Sequence, residues 1–472
     1  MNETQEPQYY RRQFEKMLID TLKTHSVVYL SGSRRVGKTT LAREICQGNH
    51  TYASFNSPLL LASVLAAPEA FFRSLPDSGK IIVDEAHFVP ELFRYVENRP
   101  ENSGDNPRET LINCLRGMKR KAHGAEEPRH IQKYVEVTST AQRSDSPAQA
   151  INQGLPEVSQ VIHRWLLIGT MGLPMLLGDK AARESCVKEL TLLPFSAAER
   201  RRTGTNFLRR LLIGKLTPQT FGTVRLADEI EVATFPELAL NPGIDREQWF
   251  DGFLSAVLQR DIQTALGIRN SERIVPLLVS LAARVGNLLN DASVIKETGL
   301  DAKTYAKYKA AAIHTFLTFE IEPWGGPSRL KKRFVKQSKV YFIDTSFLCY
   351  VMRRNLREVL AGDQATAGRL FENFVATEII KQAAFMSGTR IRHFSMAGGR
   401  EVDFVIEAEN GVAVGIDITC KSVLAERDFG NLLVMRKALG KNFSRGFVIY
   451  AGTEQAMVSD DLWAVPVSAL WE

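Results

Sequence analysis

The chain of 472 residues, 44% apolar and 24% charged, is too long for one ordinary core and implies about two to four domains. Its formal charge of +7 suits contact with nucleic acid without requiring it. Five scattered cysteines argue against a disulfide or zinc framework, and no apolar run nears the roughly 20 residues that cross a bilayer.

The polar start, MNETQEPQYYRRQFEK, lacks the apolar stretch of a secretion signal, so the expectation is a soluble, cytoplasmic protein with no membrane partner. The first predicted strand is the apolar run 27–30. It leads through a glycine-containing loop into a helix marked by Leu41, Ala42 and Ile45, and 32–39 fits GxxxxGK[ST]. The candidate phosphate-binding residues are Gly32, Ser33, Arg34, Arg35, Val36, Gly37, Lys38, Thr39 and Thr40. In such a loop the glycines let backbone N–H groups turn inward around phosphates, at the positive end of the following helix. Lys38 then reaches the β- and γ-phosphates of ATP, and Thr39 holds Mg²⁺.

A second short strand, 81–83, ends at Asp84-Glu85. After a phosphate loop, an acid at that place holds Mg²⁺ and the next one activates water, which assigns Asp84 and Glu85. The stretch 98–163, with NRPENSGDNP and KRKAHGAEEP, is polar and turn-rich and reads as an insertion making a surface excursion. A third strand, 165–168, ends near Thr170, which either senses the γ-phosphate or merely closes a core strand.

Further along, ASVIKETGLDAKTYAKYKAAA reads as helix, turn at Gly299, helix, with Asp301 capping the second. An exposed side carrying Lys303, Lys307 and Lys309, with Tyr305 and Tyr308 between, predicts a winged-helix DNA contact; a helical packing module with a solvated lysine face is the other reading. Two basic runs, 199–215 and 329–339, either hold phosphates or form solvated surface.

Near the C-terminus, EVDFVIEAENGVAVGIDITCKS alternates as a hairpin. A three-residue loop places Asp403 across from Asp417, with Cβ atoms about 5 Å apart. Carboxylates that close need a cation or a shared proton between them, and oxygen donors suit Mg²⁺ or Mn²⁺.

These motifs resemble the AAA-like P-loop ATPases of bacteria and archaea that carry a C-terminal domain of unknown function with a nuclease-like fold. GSRRVGKTTL, DEAHFVPELF, LLIGT, LLPFSAAE, FPEL, LQRDI, SKVYFIDTSF, GRLFENFVATEI and EVDFVI follow that family's order over nearly the whole chain. The hairpin is similar to PD-(D/E)XK nucleases, which implies Glu372, Asp403 and Asp417 as metal ligands. Thr419 stands where that pattern has lysine, with Lys421 two residues on, so the hairpin is either a nuclease with a displaced lysine or a retained fold that no longer cuts. The implied architecture is multi-domain α/β: an AAA-type ATPase domain over 1–202, a helical, winged-helix-like region over 203–351, and a restriction-endonuclease-like α/β domain over 352–472. The implied function is an ATPase using ATP and Mg²⁺, its nucleotide state controlling contact with DNA, with assembly into homo-oligomers. An ATP-gated DNA nuclease is the second reading, and a nucleotide-dependent switch for a protein partner the third.

Overall fold

The computed structural model describes residues 9–46, 50–67, 71, 75, 80–90, 92–93, 135–138, 164–214, 216–223, 225–325, 335–386, 388–396, 398–408 and 411–472. They form two compact units, Met1–Leu192 and Leu193–Glu472.

In the N-terminal unit six strands make one sheet: β1 (Val27–Ser31), β2 (His50–Ser54), β3 (Lys80–Asp84), β4 (Val135–Thr138), β5 (Arg164–Ile168) and β6 (Lys188–Thr191). The order is β4-β2-β3-β5-β1-β6, parallel throughout except for β4, which runs antiparallel to β2. Every residue of β1 is buried, as a central parallel strand covered on both faces must be. Val27, Tyr29, Ile81, Val83, Trp165 and Leu167 share one core with Phe55, Leu60 and Val64. Gly169 leaves room for Tyr29, because a Cβ there would stand 2.3 Å from the phenol oxygen. Of the insertion read over 98–163, residues 135–138 are described, and backbone pairing with β2 makes them an edge strand. The rest of that insertion lies outside the described residues.

The C-terminal unit is built on seven strands: β7 (Gln219–Thr220), β10 (Arg390–Met396), β11 (Arg400–Glu407), β12 (Ala413–Thr419), β13 (Phe443–Tyr450), β14 (Glu454–Ser459) and β15 (Leu462–Pro466). Their order is β10-β11-β12-β13-β15-β14-β7, with β12, β13 and β15 parallel. The helix Gly430–Leu439 packs on β11, β12 and β13, and the helix Gln364–Ala383 packs on β12 and on the strand Lys339–Phe342. Gly415 admits Leu432 and Met435, whose atoms would stand 2.8 Å from a Cβ there.

The middle of this unit is helical. Ile274–Ala282 precedes the pair Asp291–Thr298 and Ala302–His314, and the antiparallel strands β8 (Thr318–Ile321) and β9 (Lys339–Phe342) follow. Gly299 makes the turn at φ 63°, and Asp301 caps the second helix by accepting from the N–H groups of Lys303 and Thr304, as the spacing predicts. Leu288 bridges to Lys339, and Pro323 to His393, so the segment after β8 is laid against β10.

The exposed face of the second helix is smaller than predicted. Tyr305 and Tyr308 are buried, because their spacing of three places both on the core side. Lys309 is drawn into ion pairs with Glu320 at 2.8 Å and Asp291 at 3.4 Å, leaving Lys303 and Lys307 exposed.

Candidate functional site

The loop between β1 and the helix Lys38–Ile45 has the shape its glycines allow. Gly37 takes φ 91°, and Gly32 takes φ 147° where a Cβ would collide with the Leu192 carbonyl at 2.1 Å. Lys38 is buried, its ammonium donating to the carbonyls of Gly32 and Ser33 at 2.8 and 2.7 Å. The Ser33 hydroxyl is buried and, among the described residues, has no hydrogen-bond partner. Thr39 donates to Asp84 Oδ2 at 2.8 Å, although a strand separates β3 from β1 in the sheet. The Tyr52 hydroxyl donates to the same oxygen at 2.7 Å, and the Glu85 N–H donates to Oδ1 at 3.0 Å. Burial and the adjacent Asp84 raise the Tyr52 phenol above its ordinary range, keeping it a neutral donor. Among the described residues, then, the donors on Asp84 are neutral, and its charge stays uncompensated by them.

Glu85 lies just beyond the strand end in a left-handed conformation, φ 57°. Its Oε1 is 3.6 Å from Arg34 of the loop and its Oε2 is 3.4 Å from His87 Nδ1. His87 Nε2 in turn is 3.2 Å from the Thr170 hydroxyl. The loop residues, Asp84, Glu85 and Thr170 are therefore brought to one end of the sheet. Tyr52 and His87 were not anticipated. His87 follows Glu85 by two residues, and its proximity was the available signal; Tyr52 needed the β2–β3 register.

The three acids of the C-terminal unit also converge. The hairpin pairs Phe404 with Ile416 and Glu407 with Ala413, a register that continues to Asp403 opposite Asp417. At its centre is an unforeseen group. Lys339, at the end of a basic run read as either phosphate-holding or solvated surface, has a side chain only 2% exposed. Its Nζ is 2.7 Å from Asp403 Oδ1, 3.7 Å from Glu372 and 3.8 Å from Glu401. Burial alone lowers a lysine's pKa, but Asp403 and Glu372 outweigh it and hold Lys339 above the ordinary value. The Tyr341 hydroxyl donates to Glu372 Oε1 at 2.7 Å, and the Ile418 N–H donates to Asp403 Oδ2 at 2.8 Å. Burial, then the charge of Asp403, pushes Glu372 up to about 7 and Asp417 well above the carboxylate range. Both causes favour the protonated form of Asp417, which lets it share a proton with Asp403 instead of repelling it. Lys421 pairs with Asp428 and does not reach the cluster. Among the described residues, no three His, Cys, Asp or Glu side chains are grouped to hold a metal ion.

The basic run 199–215 is largely engaged within its own unit. Arg200 and Arg201 both pair with Glu229, and Arg210 donates to the carbonyls of Ala469 and Glu472. Residues 329–334 of the other run lie outside the described residues.

A buried parallel strand, a glycine loop opening a helix, and an acid strand end bonded to the loop's threonine define a P-loop nucleotide-binding domain. The comparisons agree: a family model described as AAA domain matches residues 24–121. Two further models, both described as domains of unknown function, match residues 224–358 (DUF8612) and 367–470 (DUF4143). Uncharacterized proteins of Mycobacterium tuberculosis and Mycobacterium bovis are each 23% identical over 465 residues, 98% of this chain and 84% of theirs. The solved Walker-type ATPase of Pyrococcus abyssi is 14% identical with a TM-score of 0.37, over 75% of this chain and 98% of that one. The chain thus carries an AAA-like P-loop ATPase domain at its N-terminus and a DUF4143 domain at its C-terminus. Among the described residues no helix is long and apolar enough to cross a membrane.

Proposed function

We propose that the protein is a Mg²⁺-dependent ATPase whose nucleotide state controls contact with DNA through a winged-helix-like unit. The observation that carries the ATPase half is the 2.8 Å bond from Thr39 to Asp84. It brings the hydroxyl and carboxylate needed for Mg²⁺ together, and among the described residues the hydrogen-bond donors on that carboxylate are neutral. The loop also fits a nucleotide: the Ser33 hydroxyl is buried and unpartnered among the described residues, and Gly32 and Gly37 keep the backbone free of Cβ atoms.

ATP with Mg²⁺ supplies a phosphoryl group that water can attack. The N–H groups of the loop from Gly32 to Thr40 would bind the phosphates, and Lys38 would exchange the loop carbonyls for them. Thr39 and Asp84 would hold the ion. Glu85 would take the proton of water once drawn from Arg34 and His87, and Thr170, beside His87, would position that pair.

The DNA half is supported by the succession of helix, bridged residue, two helices and hairpin, and by the exposure of Lys303 and Lys307. The test is phosphate release by wild type and Lys38→Ala, with DNA binding measured against salt, with and without ATP. Turnover should fall about 100-fold or more in the variant. Binding should weaken steeply with salt and change with nucleotide. Full turnover in Lys38→Ala would sink the ATPase assignment. A folded protein that ignores DNA at low salt would sink the DNA half and leave the protein-partner switch.

A further inference from the structure

We propose that Lys339 is a built-in cation occupying the place of a divalent metal ion in the Glu372–Asp403–Asp417 cluster, so that this nuclease-like centre binds no metal and cuts no DNA. Its task is instead to fasten the β8–β9 hairpin to the C-terminal sheet.

The geometry leaves no room for both cations. Mg²⁺ sits about 2.0–2.1 Å from its oxygen ligands. Nζ of Lys339 already stands 2.7 Å from Asp403 Oδ1, so an ion between Glu372 and Asp403 would overlap the ammonium. The other Asp403 oxygen is taken by the Ile418 N–H at 2.8 Å. Glu372 is fixed from two sides: Tyr341 donates to Oε1 at 2.7 Å, and the backbone of Gly286 is so close that a Cβ there would lie 2.4 Å from Oε2. The lysine cannot easily swing away, since its side chain is 2% exposed while those of Glu372 and Asp403 are 20% and 13% exposed.

Lys339 and Tyr341 come from β9, the acids from the helix Gln364–Ala383 and from β11 and β12. The cluster therefore ties the hairpin that follows the helix pair to the sheet. The bonds of Trp324 and Val335 to β10, from their N–H groups to the carbonyls of His393 and Ser395 at 2.7 and 3.1 Å, run alongside. Removing the lysine should leave Glu372 and Asp403 without a cation in a gap that a divalent ion could fill, since a buried charge stripped of its partner is strongly unfavourable.

The experiment measures Mn²⁺ binding by electron paramagnetic resonance in the full chain, in a Thr39→Ala, Asp84→Asn background that silences the nucleotide site. The expected result is no bound Mn²⁺ with Lys339 present. With Lys339→Met added, one Mn²⁺ should bind, Asp403→Asn should abolish it, and Mn²⁺ should raise the melting temperature or rescue folding. The proposal is overturned if Mn²⁺ binds with Lys339 in place and is lost on Asp403→Asn. It is equally overturned if a folded Lys339→Met variant gains no Mn²⁺. Should the methionine variant fail to fold even with Mn²⁺, the arm with Lys339 intact decides, together with plasmid cleavage by wild type in Mn²⁺, where cutting dependent on Asp403 overturns the proposal.

Discussion

Two carboxylate centres in this protein differ in what lies against the acid. At the N-terminal site Asp84 accepts from Thr39, Tyr52 and a backbone N–H, donors that carry no net charge. At the C-terminal cluster Asp403 accepts from the Lys339 ammonium. Hydrogen bonds from neutral groups orient a carboxylate and leave its charge available to a metal ion. A buried ammonium satisfies the charge itself. Two acids on neighbouring elements are thus an ambiguous signal, and the partner that fills the space between them decides the chemistry.

The contrast can be broken most sharply at Glu85. Glu85→Gln should keep ATP binding and slow turnover by about 10²- to 10⁴-fold, the range for a lost general base. Trapped nucleotide with little phosphate release would show this, and normal turnover would move the base elsewhere. A second contrast sets Asp84→Asn against Asp403→Asn. The first should cost Mg²⁺-dependent activity and little stability. The second strips Lys339 of its nearest acid and should cost about 3 kcal/mol, at the lower end of the range for breaking a buried pair. Equal losses in chemical denaturation would erase the distinction between the two centres.

A smaller effect is expected at His393, whose side chain is fully buried, with Nε2 2.9 Å from the Gln337 carbonyl. Burial lowers its pKa to about 4. The unfolded chain takes up this proton below about pH 6.5 and the folded one only near 4, so the stabilisation is complete above 6.5 and is lost as pH falls. Relative to His393→Gln, wild type should lose up to about 3 kcal/mol across that window. Parallel stability profiles for the two would show that His393 does not titrate this way. Smallest is Lys303→Ala with Lys307→Ala: the slope of log affinity for DNA against log salt should shrink by about 2. An unchanged slope would place the phosphate contacts on other residues.

The local chemistry was legible in the sequence wherever spacing along the chain imposes it. The glycine loop must turn where Gly32 and Gly37 permit, Asp301 caps because it precedes a helix, and alternation around a three-residue loop sets Asp403 opposite Asp417. The burial of Tyr305 and Tyr308 was legible too, had helical spacing been weighed above their polar ends. Other features needed contacts between distant segments. Residues 135–138 join the first sheet through pairing with β2, 82 or more positions away. Lys339 looked like surface inside RLKKRFVKQSK, and the clue to its burial was weak: it shares one side of β9 with Tyr341 in an otherwise apolar strand. By itself the sequence determined a P-loop domain, because phosphate binding is written into a short contiguous segment. Only the tertiary structure decided what stands between Glu372 and Asp403, because that cation arrives from a strand more than 60 positions away from Asp403, and long-range packing, not local pattern, selects it.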